Sequence, residues 1–175
     1  FTTLKGQRLD QVRQEERIRL VLLDLGATFV KLGQVLSTRP DLVGPALADE
    51  LSKLQTSTPP DPPDVVRRTI EAELGLPPED LFEEFCPEAM ASASIGQVHR
   101  ARLRGGRPVV VKVLHDGVEG RVHRDLELML ALAELAQKHV PALRNYRPVN
   151  TIREFRRTLL RELDLTVERR NLEEF

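Results

Sequence analysis

From Glu88 to His115 the chain reads EAMASASIGQVHRARLRGGRPVVVKVLH, and this is the one stretch that reads as sheet. Gly105 and Gly106 stand side by side, and two adjacent residues that tolerate positive φ suit a tight hairpin turn. The run after them, Val109-Val110-Val111-Lys112-Val113, is rich in β-branched residues and makes the returning strand. Side chains alternate along a strand, so Val110 and Lys112 share one face while Val109, Val111 and Val113 take the other. Everything before and after this stretch has helical spacing. The expected class is therefore α+β, a short antiparallel sheet with long helices.

Composition narrows the function classes. The 175 residues suffice for one domain with a real core or for a piece of a larger one. A hydrophobic share of 41% with 30% charged residues is ordinary for a globular chain. The net charge of −1 argues against a nucleic-acid partner. The single cysteine, Cys86, forms neither an internal disulfide nor a metal cluster, which suits a reducing compartment. No apolar run approaches the roughly eighteen residues of a membrane span. The chain begins at Phe1 without a signal peptide and stops at Phe175 inside an expected helix, so both ends read as cut.

Taken in order, the spacing predicts a helical segment from about Asp10 to Ser37, carrying Val12, Ile18, Val21, Leu22, Leu25, Phe29 and Leu32. Gly26 and Gly33 lie inside it, each costing about 1 kcal/mol against alanine, so a break or a close packing contact is expected. Lys31 and Gln34, three apart, occupy neighbouring positions on one face. A short helix from about Pro45 to Leu54 precedes the linker TSTPPDPP at Thr56 to Pro63. A helix opening at Pro63 or Asp64 carries Val66, Ile70 and Leu74 and stops at Gly75, and a short helix then runs through Phe82 and Phe85. After the sheet, Val118, Val122, Leu126, Met129, Ala133, Ala136 and Val140 mark one long amphipathic helix. A last helix begins near Asn150 or Thr151, with Ile152, Phe155, Leu159 and Leu163 as its stripe and the acids Glu162, Asp164 and Glu168. The expected domains are 1–62 (helical extension and linker), 63–87 (connector) and 88–175 (sheet and following helices).

The sheet stretch has the register of a kinase phosphate loop, G-x-G-x-x-G-x-V, followed one hairpin later by V-A-I-K. The glycine positions fall on Ala91, Ala93 and Gly96, the valine on Val98 and the nucleotide lysine on Lys112. Alanine neither reaches positive φ freely nor admits a phosphate as closely as glycine does. A loop of Ala91-Ser92-Ala93-Ser94 therefore holds nucleotide differently from an ordinary kinase, or the stretch is a plain hairpin meander with a lysine at its edge. The tetrapeptide His123-Arg124-Asp125-Leu126 imitates a kinase catalytic loop, but it lies on a helix, too soon after Lys112, with Leu130 where an asparagine is needed.

Four motifs in order carry a family resemblance: KLGQ at Lys31 to Gln34, ASASIGQVHRA at Ala91 to Ala101, VVVKV at Val109 to Val113 and ELD at Glu162 to Asp164. Together they resemble the UbiB family of atypical protein-kinase-like proteins, over roughly Leu25 to Phe175. The resemblance implies a protein-kinase-like small lobe preceded by a helical extension that carries Lys31, Gly33 and Gln34 toward the nucleotide pocket. It implies catalytic roles for Lys31, Gln34, Glu162 and Asp164. Nucleotide-binding roles fall to Ala91, Ser92, Ala93, Ser94, Gly96, Val98, Val110, Lys112 and Glu168. Lys31 would pair with Glu162, and Lys112 with Glu168. ATP or ADP with Mg²⁺ is the implied cofactor, its metal ligands outside this chain because the catalytic-loop and D-F-G aspartates are absent. The parent protein is expected to be an ATPase or atypical kinase supporting quinone-lipid (ubiquinone) biosynthesis, and the chain by itself inactive.

The implied partners are nucleotide, quinone-precursor lipids or lipid-biosynthesis proteins, with peripheral contact at the inner face of a bacterial membrane. Two other readings stay open: a non-enzymatic helical interaction module, and a pseudokinase regulator that uses nucleotide as a structural ligand.

Overall fold

Two glycines decide how the first helical segment folds. In the structure, a computed structural model describing residues 12–54, 58–141 and 146–164, the described part of the segment expected from Asp10 to Ser37 holds two helices, Asp10 and Gln11 lying outside the described residues. Gly26 adopts φ 101°, open to glycine and strained for other residues, and separates α1 (Gln14–Leu25) from α2 (Ala27–Ser37). Leu25, at the end of α1, is consequently exposed. Gly33 does the opposite work inside α2. A Cβ there would overlap the Leu54 side chain and come within 3.0 Å of Leu22 Cδ1.

Helices α3 (Pro40–Val43) and α4 (Pro45–Leu51) follow. Val30, Leu51 and Leu54 form a buried cluster, with Leu22, Leu23, Leu36 and Leu47 packed around it. At its edge the buried Glu50 accepts from Arg19 Nε at 2.8 Å and from Lys53 Nζ at 2.5 Å. The buried Thr28 hydroxyl donates to Asp125 Oδ2.

Helix α5 (Pro63–Leu74) starts on proline, which fits the first helical position, and ends at Gly75 in the left-handed region. Val66 and Ile70 are buried, whereas the expected third stripe residue, Leu74, is exposed. The short α6 (Pro78–Leu81) then gives way to strand β1 (Phe82–Phe85), where a helix through Phe82 and Phe85 was expected. The strand pairs antiparallel with β3, through a bulge between Phe82 and Glu84, and packs Phe85 beside Val66, Ile70 and Val113. Two phenylalanines three apart suit a helix stripe or a bulged strand equally, and the sheet edge captures them here.

Strands β2 (Ala91–Ser92), β3 (Gly96–Leu103) and β4 (Pro108–Leu114) complete a four-stranded antiparallel sheet among the described residues. β3 is central, with β4 along one edge and β1 and β2 in succession along the other. Gly105 and Gly106, at φ 100° and 87°, form the expected turn. Helix α7 (Val118–His139) buries Val118, Val122, Leu126, Met129 and Ala133, but Val140 beyond its end is exposed. Helix α8 (Pro148–Leu163) buries Phe155, Leu159 and Leu163. The class is α+β, as expected. The chain forms two compact units, one of Phe1–Gln55 with Glu119–Phe175 and the other of Thr56–Val118.

The hydrogen bond from Lys53, then that from Arg19, holds the Glu50 carboxyl below its ordinary value of 4.5, against the opposing effect of burial. A depressed carboxylate contributes stability that is complete above the unfolded value and lost as pH falls through the folded one. Glu50→Gln is expected to cost about 1–3 kcal/mol at neutral pH, the usual range for bonds to a charged group. In denaturant titrations across pH, that difference from the parent chain should shrink below pH 4.5. A pH-independent difference would refute the charge argument.

Candidate functional site

The β3–β4 pairing sets Val98 opposite Lys112 and Arg100 opposite Val110. Residues directly opposite share a face, so Val98, Arg100, Val110 and Lys112 lie together. Val110 is 62% exposed, while Val98 and Lys112 are half-buried. A groove of about 480 Å³ continues this face past Val110, lined by Cys86, Met90 and Arg100 among others. The opposite face carries Gln97, His99, Ala101, Val111 and Val113, and turns Val111 and Val113 toward Val66 and Ile70 of α5. An ammonium beside an open, branched apolar surface can bind a ligand that is anionic at one end and flat and apolar at the other.

The first half of the alanine-rich segment is strand. Ala91 and Ser92 pair with Val98 and Gln97, and the Ala93 N–H donates to Gly96 O at 2.9 Å. Only Ser94 and Ile95 remain as a two-residue turn, and both are buried. Gly96 has its own steric reason. A Cβ there would lie 2.7 Å from Val113 O and 3.3 Å from Leu114 Cα, because β4 crosses close beside it.

Lys31 and Gln34 lie on α2. Lys31 Nζ stands 3.0 Å from Glu162 Oε2, the contact that the family resemblance implies, with the side chains 27% and 33% exposed. A pair this wet contributes about 0–1 kcal/mol to stability. Gln34 donates from Nε2 to Leu54 O at 3.1 Å, tying α2 to the chain just after α4.

Glu162 is in the last turn of α8, which ends at Leu163. Asp164 is outside the helix, with ψ 89° and its N–H on Leu160 O, so the expected helical face shared with Glu168 does not begin on α8. Glu168 itself lies outside the described residues. Among the described residues no three histidine, cysteine or acidic side chains converge as a metal site.

Sequence reasoning missed a buried polar network in the sheet unit. The Asp61 N–H donates to Gln97 Oε1 at 2.6 Å. Gln97 Nε2 lies 2.9 Å from His99 Nε2, and His99 Nδ1 lies 3.0 Å from Cys86 O. That chain closes with Nδ1 as the donor of His99. His99 also stacks on Phe85 at 5.3 Å. On the other side, Asp61 Oδ2 accepts from the Asp116 N–H at 3.0 Å and stands 3.1 Å from His115 Nδ1. This last contact is close enough for an ion pair but not aligned as a hydrogen bond. His115 Nε2 lies 3.0 Å from Ala93 O. A signal was available: Asp61 alone among residues 59–63 is not proline, so it holds the only backbone N–H there.

Residues 53–175 match the ABC1 atypical kinase-like domain. Over 169 residues, 96% of the chain, it is 47% identical to a protein of Aeromonas hydrophila named "Probable protein kinase UbiB", and covers 31% of that protein. A protein of the same name from Marinobacter nauticus is 45% identical over 89% of the chain, which covers 28% of it. One from Pseudomonas aeruginosa is 43% identical over 89%, covering 29%. The chain thus spans about 30% of the length of these curated relatives. Its small antiparallel sheet with helices agrees with a kinase-like small lobe.

The approach at Gly96 is backbone against backbone, which a side-chain rotation cannot relieve. Gly96→Ala is expected to destabilise the protein by about 1–3 kcal/mol, as overpacking does. Thermal unfolding beside an Ala72→Gly control on α5 checks this. A Gly96→Ala protein as stable as the parent would show that the hairpin opens without cost.

Proposed function

Because the chain belongs to the ABC1 atypical kinase-like family, we propose that it supplies the helical extension and small lobe of an ATP-binding ATPase or phosphotransferase. The observation that carries this reading is Lys112 opposite Val98, with Val110 exposed on the same face. In this reading the nucleotide base lies over Val98 and Val110, and the Lys112 ammonium neutralises phosphate oxygens. The Ala91–Ser94 segment with Gly96 borders the phosphates as a short, closed hairpin rather than an open glycine loop. Glu168, outside the described residues, keeps the role of lysine partner that the family resemblance implies. Mg²⁺ would supply charge neutralisation of the phosphates from ligands beyond the residues described here.

Lys31, Gln34, Glu162 and Asp164 are the proposed catalytic set of the helical unit. The Lys31–Glu162 pair supports this, because an ion pair that stabilises so little is poorly explained by folding alone. In this reading the catalytic-loop and metal-binding residues come from the rest of a longer protein, since the chain spans about 30% of the length of its curated relatives. In this reading the whole protein supports ubiquinone biosynthesis, which the UbiB name of its relatives implies, and works at the inner face of a bacterial membrane. Its partners are nucleotide and quinone-precursor lipids or the proteins that make them. No described helix is long and apolar enough to cross a membrane.

A second reading, an interaction module, draws on Leu128, Leu132 and Leu135, which are half-exposed along α7. The two separate by experiment. In the full-length protein Lys112→Glu should raise the Kd for ATP or ADP at least tenfold in calorimetric titration, about 1.4 kcal/mol or more. Arg68→Ala, on the exposed side of α5, should leave it unchanged. Equal nucleotide affinity in Lys112→Glu would sink the nucleotide reading and favour the interaction module. Lys31→Ala should lower ATP turnover at least tenfold while shifting stability by no more than about 1 kcal/mol. Unchanged turnover would remove Lys31 from the catalytic set.

A further inference from the structure

We propose that Asp61, in the proline-rich linker, is a positioning residue for the alanine-rich turn, acting through His115. The inference rests on the nucleotide reading above and adds the part that sets where the turn stands. Four of the five residues at 59–63 are prolines, which fix φ near −65° and donate no hydrogen bond. This part of the linker therefore reaches the sheet stiff, and the one backbone donor of residues 59–63, the Asp61 N–H, is spent on Gln97 at 2.6 Å. Gln97 is fully buried and pairs with Ser92 across the β2–β3 hairpin. That bond places the Asp61 side chain at the end of β4, where its carboxylate meets the Asp116 N–H and the His115 ring.

His115 in turn holds the far side of the hairpin twice. Its N–H donates to Ile95 O at 3.1 Å, and its Nε2 lies 3.0 Å from Ala93 O and 3.4 Å from Ser92 Oγ. The residues on both sides of Ser94 are thus bound to one histidine, and that histidine lies against Asp61. The arrangement does what a glycine-rich loop cannot do for itself. Alanine narrows the backbone freedom of the loop, and the linker then selects the position it keeps. His115 is nearly as buried as Gln97, so the clamp is shielded from competing water.

The test uses full-length protein carrying Asp61→Ala, Asp61→Asn or His115→Gln, with Arg67→Ala on exposed α5 as control. Two quantities are read: amide hydrogen exchange over residues 91–97 and the Kd for ADP and ATP. Asp61→Ala should speed exchange at Ala93 about tenfold or more and raise the Kd about tenfold, with the helices of α5 and α7 unchanged. Asp61→Asn keeps an acceptor for the Asp116 N–H and the same volume, so it should recover part of both losses. Joining Asp61→Ala to His115→Gln should add little to either single change, because the two act in series. Unchanged exchange at Ala93 in Asp61→Asn and Asp61→Ala would overturn the proposal whatever the nucleotide does. Faster exchange with unaltered Kd would also overturn it, leaving Asp61 a structural residue. A parent protein that binds neither nucleotide would instead overturn the nucleotide reading, and the positioning role with it.

Discussion

The pairing of β3 with β4 is the constraint on which the sheet unit depends. From Gly96 to Arg102 each residue of β3 has a partner on β4, and β1 and β2 occupy the other edge of β3. A strand bonded on both edges cannot slip by one residue without turning every side chain to the wrong face. Register is thus tied to burial. Val111 and Val113 must meet Val66 and Ile70 on α5, each buried residue contributing about 1.5–3 kcal/mol. Once that face is committed, Lys112 has only the other one. The position of the candidate nucleotide lysine follows from the packing of its valine neighbours.

That same inward face contains two fully buried polar side chains, Gln97 and His99, where apolar residues would pack more simply. Each would cost about 1–3 kcal/mol if left without partners. Here the Asp61 N–H, the Gln97 amide, the His99 ring and Cys86 O satisfy one another in line. A satisfied chain of this kind adds little net stability, but it rejects arrangements that break it. It accepts only one placement of the linker along β3. Specific placement, rather than strength, is what the buried polar residues add to this sheet.

Much of this fold is legible in the sequence because each element carries a local reason. Gly105–Gly106 and the valine run announce the hairpin, Pro63 and Gly75 bracket α5, and the Val118 stripe marks α7. The failures have local causes too. Phe82 and Phe85 fit either period, and only the free edge of β3 decides for a strand. Gly26 and Gly33 look alike in sequence, yet one ends a helix and the other lets Leu54 and Leu22 approach. Asp61 reads as plain linker in the sequence because its partners lie 36 and 55 positions away. Within the candidate site, the hairpin face follows from strand alternation and the Lys31–Glu162 contact is one the family resemblance implies, while the steric reason for Gly96 is visible only in three dimensions.

Two lysine–glutamate pairs on the helical unit show how stability and function can be separated by burial. Glu50 is 8% exposed and receives both Lys53 and Arg19, so its charge is tied to the fold and its replacement is felt there. Glu162 meets Lys31 about a third exposed, where water screens the attraction. The KLGQ segment therefore holds two kinds of residue. Gly33 is required by packing against Leu54, and Gln34 by its bond to the Leu54 carbonyl. Lys31 is half-buried and meets the half-exposed Glu162, so its identity is less tightly tied to packing than that of Gly33.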